Sequence, residues 1–399
     1  MSSISRRPRR RRAALAATAV AAVLALTATA CSGDDSDSGT DSKGPGGSEL
    51  DGLLDNLPFE VDVEAWKNGG WQDWDTDTWA REIGQFVNPI IEGLWDTDRM
   101  GEAEEPGQSI DEDSIEEDAD APGYADPADD RGITDTEPVP VEAEAVPTPY
   151  TDNAAPVGKV FFDTPEGHMV CSGTVVKDPK APGASNLVAT AGHCVHGGAD
   201  GGWYRNIMFV PAYNNEGLTP AELETAPLEK HAPYGLYWAT YVSTTDYWID
   251  NGSDVGGHGA HGDFAVMAVE PEEGGASLEE TVGNAVDISF DAPAVADLGS
   301  TTLYGFPAAA PYDGALMYRC TDVPGRLSLD AAMPVMYRAG CTMTGGSSGG
   351  PWLRTADGGS VELISVNSIG PLESTWLAGP RLDMEAKAVH DYVSAEVAQ

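Results

Sequence analysis

The chain has 399 residues, 41% of them hydrophobic, and carries 65 acidic against 22 basic residues, for a formal net charge of −43. That composition can support a packed core, while so acidic a surface repels nucleic-acid phosphates and anionic lipid, which excludes nucleic-acid binding. The charge is uneven: residues 1–30 hold six Arg and no acid, residues 31–152 hold 35 acids and 5 bases, and residues 153–399 hold 30 acids and 11 bases.

Residues 1–30 read as an export signal. Arg6 to Arg12 form its basic start, and Ala13 to Ala30 an Ala-rich apolar stretch that ends in small residues. A membrane anchor is the competing reading, but the stretch is weakly apolar and at the short limit for spanning. Arg11-Arg12 hints at twin-arginine export. The run Ala28-Thr29-Ala30-Cys31-Ser32-Gly33 resembles a bacterial lipobox, with Ala28 where that pattern has Leu. The resemblance implies that Cys31 is lipidated and becomes the new N-terminus. The protein is then exported, extracellular or lipid-anchored at the cell surface, and meets a membrane only through that lipid. With Cys31 set aside, Cys171, Cys194, Cys320 and Cys341 can form two disulfides in an oxidising compartment. Three pairings are open.

Residues 31–57, rich in Gly, Ser, Asp and Thr, read as a flexible tether. Residues 58–97 form a Trp-rich, partly helical segment. Trp79, Ile83, Phe86, Val87, Ile90, Ile91, Leu94 and Trp95 recur at helical spacing, Asp77 or Thr78 stands where a cap belongs, and Pro89 kinks the run. Such an element either packs on the main domain or is a prosegment over an active site. Residues 98–152 are acidic, with Asp111-Glu112-Asp113 and Glu116-Glu117-Asp118, and read as a disordered linker. No run there has the spacing of an EF-hand.

From about Val157, short β-favouring runs alternate with Gly, Pro, Asn and Asp. Examples are Val160-Phe161-Phe162, Leu187-Val188-Ala189, Phe264 to Met267 and Val361 to Val366. Many short strands with turn signals predict an all-β, antiparallel barrel or sandwich over residues 153–399. Asp383 to Val397 alone reads as a helix, with Met384, Ala388, Tyr392 and Val397 on one face.

Three local sequences carry chemistry: Thr190-Ala191-Gly192-His193-Cys194, then Gly262-Asp263-Phe264, then Gly345-Gly346-Ser347-Ser348-Gly349-Gly350-Pro351. A serine hydroxyl needs a base within hydrogen-bond reach to become a nucleophile. Histidine changes charge near neutrality and suits that role. A buried carboxylate holds the imidazole in the useful tautomer. Glycines about Ser348 let backbone N–H groups turn together toward an oxyanion. The order His, Asp, Ser and the motifs around each resemble the chymotrypsin-like serine peptidases, including bacterial relatives of the glutamyl endopeptidase type. The resemblance covers residues 155–385 and implies two antiparallel β-barrels. Residues 157–290 would carry His193 and Asp263, residues 295–380 would carry Ser348, and the site would lie between them. It also implies disulfides Cys171–Cys194 and Cys320–Cys341, and an oxyanion hole from the N–H groups of Gly346 and Ser348. Ser347 stands where animal-type relatives have the Asp of their activation ion pair, so that device is not expected.

The same resemblance places Thr342 at the base of the substrate pocket, with Met343 beside it. Ser368, Ile369 and Gly370 form the edge that meets the substrate backbone, and Asn367 stands near the place of the His used by glutamyl relatives. These residues imply cleavage of protein or peptide substrates after uncharged residues. No cofactor or metal is implied. His258 and His261 have His-x-x-His spacing without a completing ligand and read as solvent-facing loop residues. A catalytically silent surface lipoprotein that binds partners on the same fold is the alternative.

Overall fold

The computed structural model describes residues 90–118, 130–291, 293–356 and 358–397. The export signal, Cys31, the tether and residues 58–89 of the Trp-rich segment lie outside the described residues. Seventeen strands follow in chain order among those described. Two are short N-terminal strands, β1 (Ser109–Ile110) and β2 (Glu144–Ala145). Six more are β3 (Val157–Thr164), β4 (Gly167–Val176), β5 (Leu187–Thr190), β6 (Arg205–Pro211), β7 (Tyr237–Thr244) and β8 (Ala265–Pro271). These close into one barrel in the order β3-β4-β5-β8-β7-β6, every neighbouring pair antiparallel.

Strand β3 shows why this half reads as runs of apolar residues with no polar alternation. Successive side chains leave a strand on opposite faces. Val160 and Phe162 enter the core with Val175, Val188 and Val266, while Val157 and Phe161 face a second cluster with Trp95, Met100 and Phe306. Both faces are buried, so both are apolar.

The C-terminal half contains β9 (Asp287–Ile288), β10 (Thr301–Gly305), β11 (Tyr318–Asp322), β12 (Gly325–Leu327), β13 (Met336–Gly340), β14 (Pro351–Thr355), β15 (Val361–Val366), β16 (Gly370–Pro371) and β17 (Trp376–Gly379). This expected second β unit is built mainly from two sheets. One sheet runs β2-β11-β10-β14-β15-β9 and another runs β12-β13-β17. The sheets share a core of Leu303, Tyr337, Met343, Trp352, Ile364 and Leu377, and the disulfide Cys320–Cys341 joins β11 to the end of β13. Side chains, not a continuous hydrogen-bonded ladder, hold this half together.

Three expectations are corrected. The helix runs Met384–Glu396 with the Asp383 side chain accepting from Glu385 N–H, but its buried face is Ala386, Val389, His390, Val393 and Ser394. Met384 and Tyr392 are exposed. That face packs on β7 and β8. At Ile90 to Trp95 the chain turns instead of forming a helix, Gly93 taking φ +73°, and Trp95 is fully buried with Nε1 donating to Asn206 O (2.7 Å).

The described parts of the acidic 98–152 stretch pack on the barrels. Asp130 is buried between Arg326 (2.9 Å) and Arg381 (3.0 Å), Asp135 pairs with Arg326 (2.5 Å), and Glu117 pairs with Arg338 (3.0 Å). The carboxylates offset guanidiniums that the C-terminal half buries, and buried charge must be paired.

Candidate active site

Strand register places the three motifs on one rim. In the barrel, Thr190 at the end of β5 pairs with Ala265 at the start of β8. His193 lies three residues beyond the first, and Asp263 two residues before the second. In the C-terminal half Pro351 at the start of β14 pairs with Val366 at the end of β15. Ser348 therefore lies three residues before one end, and Ser368 two residues beyond the other.

Asp263 is fully buried and accepts three hydrogen bonds. Oδ1 takes the His193 backbone N–H (2.8 Å), and Oδ2 takes His193 Nδ1–H (2.7 Å) and the Ser368 hydroxyl (2.5 Å). Three donors on one carboxylate compensate its desolvation. With its proton on Nδ1, His193 presents a bare Nε2. That atom is buried and makes no hydrogen bond among the described residues. Trp248 packs beside the imidazole, ring centroids 6.0 Å apart, and donates Nε1–H to His196 O (2.8 Å).

The turn carrying Ser348 is tied to both halves. Ser172, directly after Cys171, donates its N–H to Ser348 O (2.6 Å) and its hydroxyl to Gly346 O (2.9 Å), and accepts from Phe306 N–H (2.9 Å). Asn367 donates to Ser347 O (2.8 Å) and Tyr304 O (2.9 Å), and accepts from Trp352 Nε1–H (2.8 Å). Ser347 donates its hydroxyl to Thr344 O (2.7 Å). Two positions require glycine. Gly346 has φ +90°, and a Cβ there would meet Phe306 O at 2.7 Å. Gly349 has φ +75°, and a Cβ there would lie 2.1 Å from Thr190 Oγ1 and 2.9 Å from Ala191 N. The turn therefore presses onto the segment that leads to His193. No hydrogen bond joins Ser348 to His193 in this arrangement; such bonds are often long until substrate binds.

A cavity of about 40 Å³ beside Ser348 is lined by uncharged residues, among them Met343, Gly345, Ser368, Ile369, Gly370 and Trp376. Thr342 is not in this lining. Its hydroxyl accepts from Ala143 N–H (2.9 Å) and meets Tyr312 OH (3.1 Å), so it stands outside the cavity wall expected of it. Ser368 lines the cavity and also holds Asp263. His258 is exposed, but His261 is buried, its Nδ1 2.7 Å from Pro334 O while Nε2 accepts from the N–H groups of Leu329 and Asp330. It is a brace between loops, not a solvent histidine.

Both disulfides form as the resemblance implies. Cys171, Cys194 and His193 approach closely enough for a metal, but disulfide sulfurs offer no thiolate, so the donor set does not fit one. Ser172 and the hydroxyl of Ser368 are contributions that the sequence does not flag, since each acts on a residue more than a hundred positions away. The segment Pro106 to Gln108, which also lines the cavity, carries no motif at all.

Many solved structures resemble the chain, among them three serine proteases or endopeptidases. A thermostable serine protease from an extremophilic microorganism has 30% identity, covering 61% of this chain and 99% of its own, with a TM-score of 0.49. Protease Anisep from Arthrobacter nicotinovorans has 27% identity, covering 63% and 99%, with a TM-score of 0.50. A Glu endopeptidase has 16% identity, covering 65% and 98%, with a TM-score of 0.45. No protein-family model matches the chain, and no curated protein does.

Proposed function

We propose that this chain, which belongs to the chymotrypsin-like serine peptidases, is an exported serine endopeptidase with His193, Asp263 and Ser348 as its catalytic triad. The observation that carries the reading is the buried Asp263–His193 pair. It leaves a bare Nε2 on the rim against which the glycine-shaped Ser348 turn is pressed. In this reading Nε2 takes the Ser348 proton as Oγ attacks a peptide carbonyl. The N–H groups of Gly346 and Ser348, which make no hydrogen bond among the described residues, receive the oxyanion. The imidazolium, held by Asp263, returns the proton to the leaving amine, and water then hydrolyses the acyl-enzyme by the same steps. The substrates are proteins or peptides, and the uncharged cavity lining favours cleavage after uncharged residues. Export rests on the Arg6-to-Ala30 signal, with two disulfides as support.

A fluorophosphonate probe tests the reading. It labels the wild-type chain freed of its N-terminal region and does not label Ser348→Ala. A freed wild-type chain that stays unlabelled favours the silent binding lipoprotein instead.

A further inference from the structure

Residues 104–110 cross the cleft just described. Glu104 N–H donates to His168 O (2.9 Å) and Glu104 O accepts from Val170 N–H (2.8 Å), which fixes the segment to β4 on the first barrel. Glu105 lies over the Ser348 turn, so close that a Cβ on Gly345 would come within 2.6 Å of its Cγ. Pro106 and Gln108 wall the cavity beside Ser348. Ser109 and Ile110 then pair in parallel with Gly370 and Pro371, and Ser109 O accepts from Gly256 N–H (3.2 Å). Ile110 is buried with Leu327, Met336, Ile369 and Trp376.

We propose that residues 104–110 are an intramolecular inhibitor that occupies the substrate-binding edge and keeps the enzyme latent until the segment is displaced or cut free. The inference rests on the peptidase reading of Ser348. An extended peptide binds a sheet edge by adding a strand to it, and one edge accepts one strand. The edge at Gly370 already has its partner. A substrate must therefore displace a segment whose effective concentration is set by covalent tethers on both sides.

The tethers are firm. Upstream, Trp95 is buried and Arg99 Nη2 contacts both carboxylate oxygens of Asp163 (2.8 and 2.7 Å). Downstream, Glu112 Oε1 accepts from Trp376 Nε1–H (2.8 Å), and Glu117 pairs with Arg338 (3.0 Å). Release by simple fraying opposes all of these contacts at once. A single hydrolytic cut separates the ends: water adds across one peptide bond, leaving a carboxylate on the inhibitor piece and an amino group on the enzyme. The cut belongs between Ile110 and Asp130, because Asp130 and Asp135 compensate Arg326 and Arg381 inside the C-terminal half and must stay with it.

The test uses the full chain with the recognition sequence of a site-specific endopeptidase placed between residues 118 and 130, and the full chain carrying Ile110→Asp. The reading is the rate of fluorophosphonate labelling at Ser348. The uncut chain should label slowly, and either the cut or Ile110→Asp should raise the rate at least tenfold. A synthetic peptide of residues 102–112 should then slow labelling of the faster form, while a scrambled peptide should not. Equal rates in uncut, cut and Ile110→Asp chains, or no effect of the added peptide, overturn the inhibitor and leave the peptidase standing. Absence of labelling in every form overturns the peptidase reading and the inhibitor with it.

Discussion

Replacing Asp263 by Asn keeps the shape of the side chain and changes only what it can accept. The carboxylate now faces three donors: His193 N–H, His193 Nδ1–H and the Ser368 hydroxyl. An amide has one accepting oxygen and one donating NH₂. If the NH₂ faces Nδ1, the imidazole must carry its proton on Nε2, and the base toward Ser348 is lost. If the NH₂ faces the His193 backbone N–H, two donors oppose each other in a fully buried site. Either orientation also removes the charge that stabilises the imidazolium. Loss of the tautomer and charge together costs about 10⁴-fold in kcat, or roughly 5 kcal/mol. The assay is kcat on a peptide substrate, with fluorophosphonate labelling as a second measure, both on the chain cut free of residues 104–110. Circular dichroism checks that the variant is folded. A folded Asp263→Asn chain within tenfold of wild type refutes the argument and means that another group orients His193.

Asp130→Ala leaves Arg326 and Arg381 with less compensation inside the protein; breaking such a buried pair costs about 3–5 kcal/mol, so urea unfolding should move well below wild type, and an unchanged midpoint would contradict the pairing. Lys159 is buried, donates Nζ–H to Gly314 O (2.9 Å), and burial lowers its pKa to about 7. Between that value and the unfolded value the unfolded chain binds more protons, so stability should rise from pH 7 to 9 by about 2 kcal/mol; Lys159→Met should flatten that rise, and an identical slope would show the lysine to be uninvolved. Cys31→Ala should move the protein from the membrane fraction to the soluble fraction, and unchanged partitioning would leave a simple secreted enzyme. A peptide library scanned at the residue before the cut should show cleavage after uncharged residues, since no charged side chain lines the cavity at Ser348; dominant cleavage after Arg, Lys or Glu would place the specificity pocket elsewhere.

The candidate site was legible because its chemistry is written in short local motifs. His193, Asp263 and Ser348 each lie two or three residues from a strand end, and glycines mark the turns the backbone must make. The two disulfides followed from the family resemblance, not from the spacing of the cysteines. What the sequence hides is decided by distant partners. Met384, Ala388, Tyr392 and Val397 have helical spacing, but so do Ala386, Val389 and Val393, and only the packing on β7 and β8 chooses the second set. Thr342 has the expected position in its motif, yet Ala143 and Tyr312 hold its side chain elsewhere.

The acidic 98–152 stretch is the sharpest case. Low hydrophobicity and high charge argue for disorder when a segment is judged alone. Glu117, Asp130 and Asp135 are placed by Arg326, Arg338 and Arg381, roughly two hundred or more positions away, whose buried guanidiniums need carboxylates. The two parts of the stretch are held by different forces. Residues 104–110 rest on strand pairing and on Ile110 in an apolar cluster, whereas Glu117, Asp130 and Asp135 rest on ion pairs to arginines sheltered from solvent. Salt screens sheltered pairs weakly and does not loosen apolar contacts or strand pairing. A change of ionic strength therefore offers no route to opening the cleft, whereas a cut between Ile110 and Asp130 removes one covalent tether and leaves Arg326 and Arg381 compensated.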